Sequence, residues 1–234
     1  MASAKTTSRK KKGKKHPTST GLTIVMILAV FFYILTSSIA FPILCKPFYY
    51  AQIENLKIEE ETGYTREQIV TAYSEVVDFC IGAREDFAVG ELKYSEEGKD
   101  HFADCRKLFI LDLGVLAVSG LTLICWLIIR KAVSMRCARP RNHSVGYHGA
   151  LTLLITFAVI GALGAIDFDK TFVIFHSLFF PGKTNWLFNP VTDEVINILP
   201  ETFFMRCGIA IVGVILVQSL IFIIIDSVER ARKR

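Results

Sequence analysis

Four apolar runs, Leu22 to Cys45, Phe109 to Ile129, Ala150 to Ile166 and Met205 to Ile225, constrain this chain more than any other feature. Each is about 20 residues long, the length a helix needs to cross a hydrocarbon core of about 30 Å. Water is absent there, so each run must satisfy its own backbone N–H and C=O groups, which an α-helix does. Charge is almost missing from the run interiors, because an ion near the bilayer centre costs at least about 2.5 kcal/mol. Asp112 and Asp226 fall at run ends, where water is expected to reach them. The expected fold class is an all-α membrane protein of four transmembrane helices. An apolar content of 52% and a mean hydropathy of +0.42 exclude an ordinary soluble domain, and 234 residues are too few for a large transporter.

The basic residues orient the spans. Lys5, Arg9, Lys10, Lys11, Lys12, Lys14 and Lys15 precede the first run. Arg130, Lys131, Arg136, Arg139 and Arg141 separate the second from the third, and Arg230, Arg232, Lys233 and Arg234 follow the fourth. These segments are expected in the cytoplasm. The other two loops are acidic: residues 46–108 hold 14 Asp and Glu against 8 Lys and Arg, and residues 167–204 hold 5 against 2. They are assigned to the outer face, where together they form an extracellular cap. The expected order is a tail over 1–21, spans over 22–45, 109–129, 150–166 and 205–225, outer loops over 46–108 and 167–204, a cytoplasmic loop over 130–149 and a tail over 226–234. The net charge of +5 sits in cytoplasmic flanks that face anionic lipid, so nucleic acid is not an expected partner. Ser38-Ile39-Ala40 imitates a signal-peptide cleavage site. The apolar run continues past it to Cys45, longer than the roughly 7 to 15 residues of an h-region, and is read as a span.

Six scattered cysteines lack the paired spacing of zinc sites. Cys80 and Cys105 share an outer loop and could pair, although buried free thiols are the simpler expectation. In that loop, Thr65 and Gln68 form a capping box, with Tyr64 and Ile69 as its hydrophobic staple. Ile69, Val70, Tyr73, Val76, Val77 and Cys80 then recur at helical spacing, and Gly82 ends the helix. The segment from Tyr94 reads as a helix running directly into the second span. The second outer loop holds a dense aromatic segment, Phe172 to Phe180 and on through Trp186 and Phe188. Periodicity leaves Phe172 to Phe180 open between strand and helix. Asn189-Pro190 is expected to start a short helix over Val191 to Leu199. In span three, Ala158, Gly161, Ala162, Gly164 and Ala165 are expected to allow close helix packing.

Of five histidines, only His101 and His176 fall on the outer side. Paired imidazoles suit acyl transfer, one taking a proton from the attacking group and the other donating to the developing oxyanion or departing alcohol. Asp104, three residues after His101, shares its helix face and is placed to orient the ring. His176, in apolar surroundings, is expected to be the neutral base, and His101 to hold the charged or donating role. A zinc site of His101, Asp104 and His176, and a Ser177 nucleophile, are weaker alternatives. Rings so concentrated in one loop point to a lipid-binding pocket with Phe175, Phe179, Phe180 and Trp186 in its wall, and Tyr49 and Tyr50 as lesser candidates.

His101-Phe-Ala-Asp104 followed by Leu108-Phe109, Phe175-His176-Ser-Leu-Phe-Phe180, Asn185-Trp186, Asn189-Pro190, Asp193 and Leu199-Pro200-Glu-Thr-Phe-Phe204 resemble the lipoprotein intramolecular transacylase family of bacterial integral membrane proteins. The chain departs from that pattern at Cys105 and Asn189. The resemblance implies two catalytic histidines, here His101 and His176, at the boundary between cap and membrane, with Asn185 and Asp193 among the substrate-binding residues. It also implies the reaction: the sn-2 acyl chain of a lipoprotein's S-diacylglyceryl cysteine moves to that cysteine's α-amino group, with no metal or organic cofactor. The expected partners are the diacylated lipoprotein N-terminus with its chains and membrane lipid, and the protein is expected to act as a monomer. A lipid-binding protein without catalysis, or a channel, is the reading from another class.

Overall fold

In the computed structural model, residues 17–130, 132 and 135–232 are described. The basic tail over 1–16, with His16, and also Lys131, Lys233 and Arg234 lie outside them. The order is β1 (Thr18–Ser19), α1 (Thr20–Leu44), α2 (Lys46–Asn55), α3 (Ile58–Thr62), α4 (Arg66–Cys80), α5 (Glu96–Ile129), β2 (Arg136–Cys137), α6 (Val145–Ile166), α7 (Phe168–Phe179) and α8 (Glu201–Ala231). Helices α1, α5, α6 and α8 are long and apolar enough to cross a membrane. Parallel pairing of Thr18 with Arg136 and Ser19 with Cys137 brings the start of α1 and the α5–α6 connection to one end of the bundle.

Helix α1 packs against α5, α6 and α8. Val30, Ile34, Ala150, Leu153 and Ile215 form the core between α1, α6 and α8. The close approach of α6 to α1 is made at Gly149, where an added Cβ would stand 2.9 Å from both the Ile27 carbonyl oxygen and Val30 Cβ. Gly149→Ala is therefore expected to cost about 1–3 kcal/mol, seen as a lower Tm of the purified protein. Gly161→Ala, with open space at its Cβ, should leave Tm unchanged. For Ala158, Gly161 and Ala162 the packing stripe expected in span three is thus corrected; the side chains of Gly164 and Ala165 lie outside those described. Ala158, Gly161 and Ala162 are exposed, and the residue that fits against a neighbour lies near the start of the helix.

Asp226 also departs from expectation. It is 0% exposed rather than wet, and it accepts from Arg139 (3.0 Å), from the Ser144 backbone N–H (2.7 Å) and from His143 Nδ1 (2.7 Å). A buried carboxylate requires such partners. This cluster ties the end of α8 to the start of α6.

At the other end, residues 46–108 build a cap. Helix α4 carries the predicted capping box at Thr65 and Gln68, and Gly82 takes φ +80° just beyond it. Its apolar stripe packs with Tyr49 and Ile53 of α2, Phe102 of α5, and Val195, Ile198 and Leu199 from the segment before α8. Tyr49 stacks on Tyr73 at 3.7 Å and its hydroxyl donates to the Ile198 carbonyl at 2.6 Å. Residues 46–108 and the segment before α8 therefore share one core. The short helix expected over Val191 to Leu199 is instead a 3-10 turn at Glu194–Ile198. Asn189 accepts from the Val191 N–H in a tight turn, and Asp193 turns its side chain away to α5.

Helix α5 spans 34 residues, about 51 Å at 1.5 Å per residue, well beyond a core of about 30 Å. Its first 13 residues carry Glu96, Glu97, Lys99, Asp100, Asp104, Arg106 and Lys107 and stand in the cap, and its apolar run begins at Phe109. Ser95 caps the helix by accepting from the Gly98 N–H at 3.0 Å. This extension delivers His101 to the site.

Candidate active site

Helix α5 supplies His101, Asp104 and Cys105, while α7 and the loop after it supply Phe172, His176, Phe180, Lys183, Asn185, Trp186 and Phe188. The segment left open between strand and helix is helical. Asp167 caps α7 by accepting from the Lys170 N–H at 2.9 Å, and Phe172, His176 and Phe180 then follow at i, i+4 and i+8. The other face of α7 presents Val173, Ile174, Phe175, Leu178 and Phe179 outward, with Phe175 47% exposed. Phe175 and Phe179, expected in the pocket wall, therefore lie on this outer face. Their places beside the imidazoles are taken by Phe172 and Phe188.

His101 and His176 are 6% and 7% exposed, with ring centres 5.9 Å apart. Phe180 stands edge-on to His101 at 5.0 Å and Phe188 does so at 5.3 Å. Phe172 lies 4.1 Å from His176, and Trp186 stacks on it at 4.6 Å. His176 Nδ1 is 2.8 Å from the Phe172 carbonyl oxygen. A carbonyl only accepts, so Nδ1 carries the proton and the lone pair of the neutral ring is on Nε2. His101 Nε2 faces Cys105 Sγ at 3.4 Å, and its Nδ1 is buried without a partner.

Burial, with a smaller push from His176, moves the His101 pKa from 6.5 down to about 4, against the pull of Asp104. Burial also lowers His176, with the Phe172 bond opposing. Both rings are neutral at pH 7, so of the two roles expected of His101, charged or donating, the donating one fits. Burial likewise pushes the Cys105 thiol up to about 12, so it keeps its proton.

Asp104 does not orient His101. It accepts from Lys107 at 2.9 Å, from Lys183 and, at 3.5 Å, from the Asn185 amide. Burial would raise its pKa, but these donors outweigh it and hold the carboxyl near 2. A charge-assisted bond from an ammonium outcompetes one from a neutral imidazole. Lys183 is the residue the sequence reading missed, because its partner lies 79 positions away. Asp193 is likewise reassigned: its carboxylate accepts from the Ser95 N–H (2.8 Å) and hydroxyl (2.7 Å) and from Thr192 (2.9 Å), which occupies it in holding the lid to the start of α5. A side chain at Gly98 would overlap this carboxylate.

Asn185 leaves its Oδ1 buried without a partner beside Asp104. Ser177 donates to the Val173 carbonyl at 2.8 Å rather than meeting a histidine. Among the described residues, no group of three or more His, Cys, Asp or Glu side chains is placed to share a metal ion. All six cysteines are free, Cys80 and Cys105 included. A separate apolar groove of about 510 Å³ runs between α1 and α5, lined by Val25, Leu28, Phe32, Leu111, Val115 and Val118, and contains neither imidazole.

The family model for the lipoprotein intramolecular transacylase Lit matches residues 24–204. The solved structure of the membrane integral lipoprotein intramolecular transacylase Lit from Bacillus cereus superposes with a TM-score of 0.79 at 26% identity, over 91% of this chain and 97% of that one. Two structures of the Bacillus cereus protein carrying a histidine-to-arginine or a histidine-to-alanine substitution match with TM-scores of 0.74 at 24% identity. They cover 91% of this chain and 92% and 94% of theirs. No curated protein matches this chain. The likeness extends over the spans and the cap alike, which places the protein among multi-pass integral membrane transacylases. It belongs to the lipoprotein intramolecular transacylase family, enzymes whose substrates are lipoproteins.

Proposed function

We propose that this protein moves the sn-2 acyl chain of a lipoprotein's S-diacylglyceryl cysteine to the α-amino group of the same cysteine. The observation that carries this reading is the pair of buried, neutral imidazoles 5.9 Å apart, from separate segments, inside an aromatic wall. Neutral imidazole is the form that accepts a proton, and the Phe172 bond directs the lone pair of His176 to Nε2. His176 takes the proton from the substrate amine, and the amine nitrogen attacks the sn-2 ester carbonyl carbon. The carbonyl oxygen gains negative charge in the tetrahedral intermediate. His101 is suited to meet it: with the Cys105 S–H donating to Nε2, the proton of His101 resides on the unpartnered Nδ1. The C–N bond forms, the bond to the sn-2 oxygen breaks, and that oxygen receives the proton held by His176. The products are an amide and a free glycerol hydroxyl on one molecule.

Amine and ester belong to the same lipid-modified cysteine, so the enzyme needs only to orient them, a large part of the barrier in such reactions. The cap is assigned to the cell exterior, because Arg130, Arg136, Arg139, Arg141, Arg230 and Arg232 gather at the opposite end. The exposed apolar face of α7 is suited to rest on the bilayer surface, bringing the site to the level of the ester.

A diacylglyceryl lipopeptide with isotopically distinct chains at sn-1 and sn-2 tests the reading. Mass spectrometry after incubation should find the sn-2 label in the N-terminal amide and a thioether-linked glycerol that keeps only the sn-1 chain. An amide carrying the sn-1 label, or a chain from bulk lipid, would refute it.

A further inference from the structure

We propose that Asp104 is the binding site for the substrate's α-ammonium group, and that Lys183 occupies in the free protein the place this cation takes. The inference rests on the transacylase reading above and names how its amine is recognised. An α-amino group has a pKa near 8, so it arrives mostly as an ammonium. Around the two imidazoles, the described side chains offer one anion, Asp104, whose side chain is 10% exposed. His101 and His176 are neutral there, and Lys107 and Lys183 are cations.

The ligand's chemistry is already displayed by Lys183, since its terminal group is a primary ammonium bonded to Asp104 Oδ2. The same oxygen accepts from the Asn185 amide, whose own Oδ1 is buried and unpartnered. An ammonium has three protons to donate. The lysine uses one of these protons on the carboxylate and leaves Asn185 Oδ1 without a donor. Lys107 holds Oδ1 independently at 2.9 Å and keeps the carboxylate in place when Lys183 leaves.

Departure of Lys183 is also built in. Its side chain is 47% exposed, so the amine can swing to water without opening a void. Its backbone stays, because the Trp186 indole N–H donates to the Lys183 carbonyl at 3.1 Å while Trp186 itself stacks on His176. His101 lies one turn before Asp104 on the same helix face, so an ammonium docked at Asp104 stands close to the imidazole pair; it releases one proton to solvent, and His176 takes the second as the C–N bond forms.

Binding without turnover tests this, using full-length protein in the His176→Ala background. The probes are a diacylglyceryl-cysteine lipopeptide with a free α-amine and the same lipopeptide with that amine acetylated. The free amine should bind about 10- to 100-fold more tightly, the worth of one charge-assisted hydrogen bond. Asp104→Asn should erase that preference and leave the acetylated probe unaffected. Lys183→Met, which removes the competing cation, should tighten the free amine alone. If Asp104 and Lys183 only clasp the loop, both substitutions weaken both probes equally, which overturns the proposal. Should Asp104→Asn fail to fold, the Lys183→Met result decides it, and unchanged or weaker free-amine binding refutes it. Failure of the acyl-transfer reading would appear separately, as an amide without the sn-2 label in the wild-type reaction.

Discussion

His176→Ala protein is expected to insert and fold while its kcat falls by about 10²- to 10⁴-fold, the usual contribution of a positioned general base. The ring has no charge to lose and its hydrogen bond goes to a carbonyl within its own helix, so α7 keeps its register without it. What disappears is the lone pair at Nε2 of a ring held between Phe172 and Trp186, its centre 5.9 Å from that of His101. His101→Ala should fall by a comparable factor through loss of the Nδ1 donor, and the double variant should be little worse than either single one, because groups acting on one transition state are not additive. Single-turnover assays with the labelled lipopeptide separate this from loss of binding. Rates within about tenfold of wild type for either alanine variant would leave the imidazoles without the proposed role.

The parts of this arrangement that could be read from the chain are those encoded within a few residues of one another. The spans follow from uninterrupted hydropathy, and α4 follows from Thr65 and Gln68 with the stripe behind them. Helix α7 was ambiguous because nine mostly apolar residues suit either period; the Asp167 cap and the face shared by Phe172, His176 and Phe180 resolve it. Which rings face inward depended on that same choice, and this is why Phe175 and Phe179 were placed in the pocket and Phe172 was not.

Contacts across long separations were not legible. Lys183 with Asp104, Ser95 with Asp193 and His143 with Asp226 join segments 79, 98 and 83 residues apart, and each satisfies a polar group whose burial no local pattern reveals. The reading of Asp104 failed for a related reason. Spacing correctly put it on the face of His101, but spacing cannot tell which of several donors wins a carboxylate, and the lysines did.

Acid should act on the candidate site through its buried imidazoles before it acts through Asp104. A histidine whose folded pKa lies below the unfolded value of about 6.5 adds nothing to stability above that pH, where the ring is neutral in both states. As pH falls below 6.5 the unfolded chain takes up a proton that the folded protein refuses, so stability declines until the folded pKa, about 4 for His101, is passed. That interval corresponds to a loss of up to about 3 kcal/mol from His101 alone, to which His176 adds in the same direction. Asp104 works in a lower window, because its stabilising ionisation is lost only as pH drops from the ordinary carboxylate value of 3.8 through about 2. Of the groups facing His101, Asp104 and Cys105 keep one charge state between pH 4 and 7, so the acid response there belongs to the two rings. In the same range kcat/KM should fall by about tenfold per pH unit, because the substrate's α-ammonium, with a pKa near 8, must lose a proton before its nitrogen attacks. Tm measured against pH for wild type and His101→Gln provides the check: the wild-type curve should drop more steeply between pH 6.5 and 4. Parallel curves would mean that His101 titrates as it does in the unfolded chain and is not held neutral by burial.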